Sequence, residues 1–236
     1  GENWLKNALR HFIDSDIAAV VGPSLTPDDD DLMAKASGFV LASPLGGGPT
    51  WIRYSQSDSH IRYVSEAPTC NLIIRKSVMN AVKDFVSDVW PGEEIALCGA
   101  VVKHLKKKIV YDPQVVVYHH RRRLFIPHLK QIWSYGEIKG HLLKIYPRYV
   151  KPVFFLPSLA VLGIVGGLPL AMLNPVIGYT YVSLLLAYFF VSLANSVFTG
   201  LREKSIKIAL LVLAGTIATH MCYGLAFIRG IFSSKP

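Results

Sequence analysis

Two short segments of this chain contain the residue types that acid–base and phosphate chemistry require. Glu93 and Glu94 follow Pro91-Gly92 and open a predicted helix. His119 ends an apolar run and is followed closely by Arg121–Arg123. A carboxylate can accept a proton from an attacking hydroxyl group, an imidazole can ligate a divalent metal, and guanidinium groups can bind a diphosphate. Structural roles are also open, because glutamates stabilise helix starts, a lone histidine is often structural, and arginines beside a membrane contact lipid phosphates.

The elements that must position these residues alternate between helix and strand, which predicts an α/β layer. The predicted helices and strands are Trp4–Phe12, Ile17–Val21, Asp30–Leu41, the strand "CNLIIRK", Ser77–Val86, Glu93–Lys106, Ile109–Tyr111 and Val115–His119. Adjacent helical residues face different ways, so only one of the two glutamates can face a cleft. Side chains alternate along a strand, so Val115, Val117 and His119 share one face. His119 can therefore reach a site at a strand end, where α/β sheets bind ligands.

The last third of the chain is far more apolar than the rest. Residues 153–236 hold six charged side chains, and three apolar runs lie between them: Val153–Leu173, Val176–Phe198 and Ile208–Ile228. Each run exceeds the length of about 18 residues that a helix needs to cross a bilayer. The pattern predicts three transmembrane helices in a multi-pass membrane protein.

Charge is distributed in zones that predict the orientation of the chain. Residues 1–100 carry a net charge of −5, residues 101–152 carry +10 and residues 153–236 carry +4. A basic zone next to the first apolar run favours a cytoplasmic location for the preceding part, and membrane lipids rather than nucleic acid as its partner. The loop "TGLREKSIK" is also basic, which predicts that it is cytoplasmic. Three crossings would then leave Arg229 and Lys235 outside, so either the third run re-enters the membrane or these few charges are too weak to matter.

The segment Phe125–Tyr146 predicts an amphipathic helix at the membrane interface. Its apolar residues recur at helical spacing, and its opposite side is assigned to His128, Lys130, Lys139, His141 and Lys144. An interface helix combines such an apolar stripe with a basic face. An ordinary surface helix of a soluble layer is the alternative.

Three segments that resemble functional motifs are predicted to be structural. Asp28–Asp31 follows a turn and starts a helix, where carboxylates are favoured. Asp14-Ser15-Asp16 follows a helix rather than an apolar strand and is predicted to be a loop. Gly46–Gly48 lacks the Lys-Ser/Thr of a phosphate loop and is predicted to be a flexible loop.

The segment "WPGEEIALCGAVVKHLKKKIVYDPQVVVYHHRRR", followed by "HLKQIWSYG", resembles the C-terminal half of a membrane-anchored family 2 inverting glycosyltransferase with a GT-A fold. The resemblance covers most of the chain. "WLKNALRHF…AAVVGP" is similar to the helix and strand that follow the DxD motif of that family, and "SGFVLASPLGGG" and "PTCNLIIRKSVM" are similar to its acceptor-side segments.

The resemblance implies roles for the first set of candidate residues. Glu94 matches the position of the catalytic base, with Glu93 as the alternative carboxylate. His119 matches a histidine that completes the metal site in several relatives, and the implied cofactor is Mg²⁺ or Mn²⁺.

The resemblance also implies contacts with the phosphates or the acceptor. Arg121–Arg123 would hold the diphosphate of the donor or an anionic lipid acceptor. Gln131 and Trp133 lie near the Gln-x-x-Arg-Trp motif of processive members, but Ser134 replaces the Arg and Tyr135 replaces the Trp. Processive polymer synthesis is therefore not implied.

The resemblance divides the chain into three parts: residues 1–124 as the C-terminal part of a GT-A domain, 125–152 as the interface helix with a basic linker, and 153–236 as the membrane helices. The nucleotide-binding half with its DxD motif has no counterpart, so a fragment that is inactive alone is expected. The expected function is sugar transfer from a nucleotide-sugar donor to a lipid-linked or glycan hydroxyl acceptor, at the cytoplasmic membrane face. The alternative is a non-catalytic membrane-anchored subunit that binds or positions a partner.

Overall fold

A computed structural model describes residues 3–56, 60–86, 93–145, 147 and 150–233, except the side chains of residues 83–86 and Glu93. The described chain is mostly helical, with a small mixed sheet and three long apolar helices. It divides into two compact units. The first unit contains Gly1–Asp28 and Thr50–His120, and the second contains Asp29–Pro49 and Arg121–Lys235.

Most predicted helices and strands are present, but the strands Ser24–Leu25 and Arg62–Val64 were not predicted. The flexible loop predicted at Gly46–Gly48 is wrong, because Gly46 and Gly47 lie in the short helix Pro44–Gly47. The strands are β1 (Ile17–Val21), β2 (Ser24–Leu25), β3 (Arg62–Val64), β4 (Leu72–Ile74), β5 (Lys108–Tyr111) and β6 (Val117–Tyr118). The α-helices are α1 (Trp4–Leu9), α2 (Leu32–Ala42), α3 (Pro44–Gly47), α4 (Lys76–Val86), α5 (Glu93–Gly99), α6 (Ile126–Ile145), α7 (Leu156–Leu173), α8 (Pro175–Arg202) and α9 (Ile206–Phe232).

The first unit is built on a four-stranded mixed sheet with the order β3-β5-β1-β4. The central strands β1 and β5 are parallel, with Val20 opposite Val110, and the two outer strands are antiparallel to them. A second, two-stranded parallel ladder joins β2 to β6. The predicted α/β layer is therefore present, but its sheet is mixed.

Both faces of the central strands are covered, which explains their almost unbroken apolar sequence. Ala19 and Ile109 pack on one side with helices α4 and α5, whereas Val20 and Val110 pack on the other side with α1. Just beyond β1, a Cβ atom at Gly22 would lie 1.8 Å from the Val115 carbonyl oxygen. Only glycine permits this close approach of two backbones.

Several predicted elements of the first unit are shorter than expected, and two of them bear on the candidate residues. Helix α5 ends at Gly99 and continues as one wider π turn over Ala100–His104. The strand predicted over Val115–His119 covers only Val117–Tyr118, because the preceding residues form a turn in which the Val115 N–H donates to the Asp112 carbonyl. His119 therefore lies one residue beyond the strand.

The second unit contains three helices that are long and apolar enough to cross a membrane. These helices, Pro152–Leu173, Pro175–Arg202 and Ile206–Phe232, cover the three predicted runs. The third is one continuous helix of 27 residues, so it has the form of a crossing rather than of a broken re-entrant segment. Membrane association, predicted from composition, is supported by these helices.

Helix α6 packs along α9, and glycines make the contact possible. A Cβ atom at Gly140 would lie 2.1 Å from the Phe227 carbonyl oxygen, and one at Gly136 would lie 2.7 Å from the Tyr223 carbonyl oxygen. Small residues spaced by four let helices approach closely. The assignment of His128 to the polar side of this helix is wrong, because His128 is fully buried.

The short helices α2 and α3 belong to the second unit. Ala36 and Val40 of α2 pack in one cluster with Leu124, Ile208 and Val212. The Leu45 carbonyl of α3 is 2.8 Å from Nε2 of His220 on α9. Asp29–Pro49 is therefore packed against the apolar helices.

Candidate functional site

Glu94 lies in the first turn of α5, at the carboxyl edge of the parallel strands. Strand β5 follows the π turn closely in the chain. Just before the strand, the Lys107 N–H donates to the Val101 carbonyl at 3.0 Å. The helix consequently runs opposite to β5, and its first turn lies toward the end of that strand. Ligands bind at this edge in open α/β sheets. The Glu93 side chain lies outside the described residues.

Other ionisable groups surround this turn. Cys98 follows Glu94 by four residues and thus shares its helix face, and its Sγ is 3.8 Å from the Ala67 carbonyl oxygen. Burial raises the pKa of the Cys98 thiol to about 11, and the charges of Arg53, Glu94 and Glu66 also act on it. All three charged side chains therefore lie near the same buried thiol.

An ion pair at the same edge places a second carboxylate beside a cation. Arg53 and Glu66 approach to 3.5 Å, and their side chains are only 15% and 13% exposed. The Tyr111 hydroxyl, at the end of β5, donates to the Ile52 carbonyl at 3.0 Å and holds this segment against the strand end. The Arg53 guanidinium at this edge is thus paired with the Glu66 carboxylate.

His119 is carried by the β2–β6 ladder, which extends beyond the ends of β1 and β5. Its backbone N–H donates to the Leu25 carbonyl at 2.9 Å, and its side chain is exposed. Glu94 and His119 therefore both lie toward the carboxyl ends of the parallel strands in the first unit.

The described residues do not by themselves form a metal centre. Across the part of the chain that the structure describes, no group of three His, Cys, Asp or Glu side chains is arranged to hold a metal ion. One exposed imidazole at His119 is too few ligands for Mg²⁺ or Mn²⁺, which take six mainly oxygen ligands.

A buried carboxylate next to β5 was missed by the sequence interpretation. Asp112 is fully buried, and its Oδ2 is 2.7 Å from both Arg10 Nη2 and His11 Nε2. Its Oδ1 accepts the Gln114 N–H at 2.8 Å. Burial alone would raise the pKa of Asp112, but the hydrogen bonds from His11, Gln114 and Arg10 outweigh burial and lower it. The ionised carboxylate therefore ties the N-terminal helix to the edge of the sheet; the Asp-Pro after an apolar strand was its only sequence signal.

Arg121–Arg123 lies in the second unit, against the acidic start of α2. The Arg121 N–H donates to Asp30 Oδ2 at 3.0 Å, and Arg123 Nε is 3.0 Å from Asp31 Oδ2. Asp31 also accepts the N–H groups of Met33 and Ala34, each at 2.9 Å. The prediction that these acids lie at a helix start is confirmed for Asp31, which caps α2. Only the structure shows that Asp30 and Asp31 also contact Arg121 and Arg123.

Packing around Leu124 brings two basic segments to one end of the second unit. Leu124 follows the three arginines. It packs with Ile208, which lies in the first turn of α9, just after the α8–α9 loop. The Arg202 guanidinium, at the end of α8, lies 5.7 Å from the centre of the Phe39 ring in the same cluster. Arg122 and Lys204, which are both exposed, belong to these two segments.

Gln131 and Trp133 are both engaged within α6. Gln131 Nε2 donates to the Tyr135 hydroxyl at 2.7 Å. Trp133 Nε1 donates to Glu137 Oε2 at 3.2 Å, and the Arg229 guanidinium lies 5.7 Å from the Trp133 ring centre. The indole is thus held between a carboxylate and a cation in the second unit.

His128 connects three helices of the second unit. Its Nδ1 is 2.8 Å from the Ser37 hydroxyl on α2, and its Nε2 is 2.9 Å from the Thr219 hydroxyl on α9. Burial lowers the pKa of His128 to about 4, so the imidazole is neutral at pH 7. The sequence interpretation missed this residue because its two partners are each 91 positions away.

Fold and composition together define a membrane protein with a small α/β unit and three candidate membrane-spanning helices. No protein-family model matches the chain, and no curated protein matches it.

Proposed function

We propose that this chain is part of a membrane-anchored inverting glycosyltransferase that transfers a sugar from a nucleotide-sugar donor to a hydroxyl acceptor. The observation that carries the proposal is the position of Glu94, at a helix start toward the carboxyl ends of the parallel strands. The motif order around it, which resembles a partial GT-A domain, supports the same function.

In the proposed reaction Glu94 acts as the general base. It takes the proton from the acceptor hydroxyl, the freed oxygen forms a bond to the anomeric carbon, and the bond from that carbon to the phosphate oxygen breaks. The nucleoside diphosphate leaves with the electron pair, and the configuration at the anomeric carbon inverts. A positioned base contributes about 10²- to 10⁴-fold to such a step.

The remaining residues have binding roles in this proposal. Arg121–Arg123 binds phosphate groups of the donor or of an anionic acceptor, and Arg122 is exposed and available for such contacts. Gln131 and Trp133 contact the acceptor. Mg²⁺ or Mn²⁺, which would neutralise charge on the leaving diphosphate, would find one ligand in His119 and would need further ligands beyond those described.

The matched pair of variants Glu94→Gln and Glu93→Gln tests the base in the full-length protein. Membranes containing each variant are supplied with a panel of labelled nucleotide sugars, and transfer to lipid or glycan is measured. We expect Glu94→Gln to lose about 10²- to 10⁴-fold in rate with unchanged protein abundance, because an amide cannot accept the proton. Glu93→Gln should retain most of the rate.

Near-normal transfer by Glu94→Gln would contradict the assignment. Loss only in Glu93→Gln would move the base to the neighbouring residue. An unmodified protein that transfers no sugar from any donor would favour the alternative of a non-catalytic membrane-anchored subunit, in which the glutamates only stabilise a helix start.

A further inference from the structure

Helix α8 is polar on the face that packs inward. Ser192, Asn195, Ser196 and Thr199 follow Tyr188 along one side of it, since each lies three or four positions from at least one other member of the set. Ser192 and Ser196 are 0% and 2% exposed, whereas Phe190 and Phe198 are 59% and 70% exposed. A helix of this length and composition therefore turns apolar side chains outward, toward lipid, and hydroxyl groups inward.

The facing surface of α9 is also polar, and two hydrogen bonds set the register of the pair. The Tyr188 hydroxyl is 2.9 Å from His220 Nδ1, and the Ser196 hydroxyl donates to the Ala209 carbonyl at 2.8 Å. The helices are thus antiparallel. Ser192 and Thr216 each lie between these two levels, and both are 0% exposed.

Some polar side chains between α8 and α9 have hydrogen-bond partners, and others do not. The Leu45 carbonyl can only accept, so His220 Nε2 carries the proton and donates to it at 2.8 Å. His220 Nδ1 then accepts the hydrogen bond of the Tyr188 hydroxyl. In contrast, Thr216 Oγ1 and Asn195 Nδ2 are buried and have no hydrogen-bond partner among the described residues.

Unsatisfied groups of this kind are costly in an apolar helix bundle. A buried polar group without a partner loses its hydration and gains nothing in return, so native structures almost always supply a partner or an ordered molecule. Polar side chains inside membrane helices also mark functional positions more often than chance. Thr216 and Asn195 therefore point to a ligand.

We propose that the inward face of α8, with Thr216 of α9, is a binding site for neutral hydroxyl groups. A hydroxyl oxygen both donates and accepts, so it can donate to Thr216 Oγ1 or accept from Asn195 Nδ2. An anion or cation would be uncompensated beside these uncharged side chains. Water and the hydroxyl group of a lipid share this chemistry. The site is separate from Glu94 and does not depend on the proposed sugar transfer.

The isosteric substitution Thr216→Val tests the site, because the sign of its effect distinguishes an occupied site from a dry one. The full-length protein is purified in nanodiscs of phosphatidylcholine with added diacylglycerol, and its thermal unfolding midpoint is measured. We expect Thr216→Val to lower the midpoint by about 2–4 °C, because it removes a hydrogen bond to the bound hydroxyl. If the hydroxyl has no partner, its removal leaves the midpoint unchanged or raises it, which would overturn the proposal.

Thr180→Val is the matched control. Thr180 is exposed on α8, and its hydroxyl already donates to the Val176 carbonyl at 2.9 Å. The control should change the midpoint much less than Thr216→Val does.

A second variant and a change of medium complete the test. Asn195→Leu should also lower the midpoint, because it removes a second buried donor from the same helix pair. An unchanged or higher midpoint in Asn195→Leu would contradict the proposal for that side chain. A loss in Thr216→Val that persists in a delipidated detergent without hydroxyl groups identifies water as the ligand, whereas a loss found only with diacylglycerol identifies a lipid hydroxyl.

Discussion

Each of the two units buries an ionisable group beside hydrogen-bond partners. The group in the first unit is charged, whereas the group in the second unit is neutral. In the first unit, the Asp112 carboxylate receives hydrogen bonds from Arg10, His11 and the Gln114 N–H. In the second unit, the neutral His128 imidazole lies between the Ser37 and Thr219 hydroxyls. The pKa of each group is lowered, so Asp112 stays charged at neutral pH and His128 stays uncharged.

The physical reason is the balance between desolvation and compensation. Burial penalises the charged form of any group, and only donors or opposite charges can reverse that penalty. Asp112 has a guanidinium and an imidazole as partners, whereas the partners of His128 are uncharged hydroxyls. In the unit that contains the apolar helices, this buried junction is therefore made of neutral groups. Burying neutral groups costs less desolvation free energy than burying charges where water is excluded.

The largest effect is expected from removal of the buried carboxylate. Asp112→Ala should destabilise the first unit by about 3 kcal/mol, because one fully buried carboxylate accepts charge-assisted hydrogen bonds from Arg10 and His11 and a third from the Gln114 N–H, and all three are lost. Hydrogen exchange of the β1 and β5 amides in the full-length protein would measure this loss.

Asp16→Ala is the matched control for that experiment. Asp16 is 60% exposed and pairs with Lys107 at 3.4 Å, so its removal should cost at most about 1 kcal/mol. Equal effects of the two alanine variants would show that the Asp112 network is no stronger than a surface pair.

A smaller effect should follow from acidification of the second unit, and His128 should contribute to it. Its pKa rises from about 4 in the folded protein to about 6.5 on unfolding. The unfolded chain therefore binds the proton first, and stability is lost as the pH falls from about 6.5 toward 4. Between pH 7 and 4.5 the expected loss is about 2 kcal/mol, from the same linkage relation.

Hydrogen exchange of α6 amides at the two pH values, after correction for the intrinsic exchange rates, would measure this loss. His128→Leu should reduce the pH dependence of the second unit by about 2 kcal/mol over this range, with no change in the first unit. Asp112 contributes below this range, because its folded pKa lies under the ordinary carboxyl value. Its stabilisation is lost as the pH falls from that ordinary value through the folded pKa. An unchanged slope in His128→Leu would refute the contrast between the two units.

The smallest effect is expected from a single neutral hydrogen bond. Tyr188→Phe removes the donor to His220 and should reduce the free energy of unfolding by about 1 kcal/mol. The measurement is the denaturation midpoint of the purified protein in detergent. Tyr179→Phe, at a side chain that is 76% exposed on the same helix, should have no effect. A loss of several kcal/mol in Tyr188→Phe would mean that the neutral junctions are as strong as the Asp112 network.

Much of the local structure was predictable from the sequence because it depends on residues close together in the chain. Strand β1 was predicted at the observed bounds, since five apolar residues precede Gly22-Pro23. The start of α2 was predicted from its acidic run, and Asp31 caps it. The three apolar runs became three long helices because the length and polarity of a run are properties of that run alone.

The contacts around the candidate residues were not predictable because they join distant parts of the chain. Arg123 meets Asp31, and His128 meets both Ser37 and Thr219, only after the helices have packed. Periodicity placed His128 on a polar face, since it records residue type but not the hydroxyl groups that a neighbouring helix will supply.

The amino-acid sequence by itself determined which segments are helices, which are strands and which are apolar enough for a membrane, because these properties arise from neighbours within a few residues. The tertiary structure alone decided that Asp112 is a charged junction, that His128 is a neutral one, and that Asp29–Pro49 packs with the apolar helices. Burial and pairing set the charge of an ionisable group, and both exist only once distant segments are in contact.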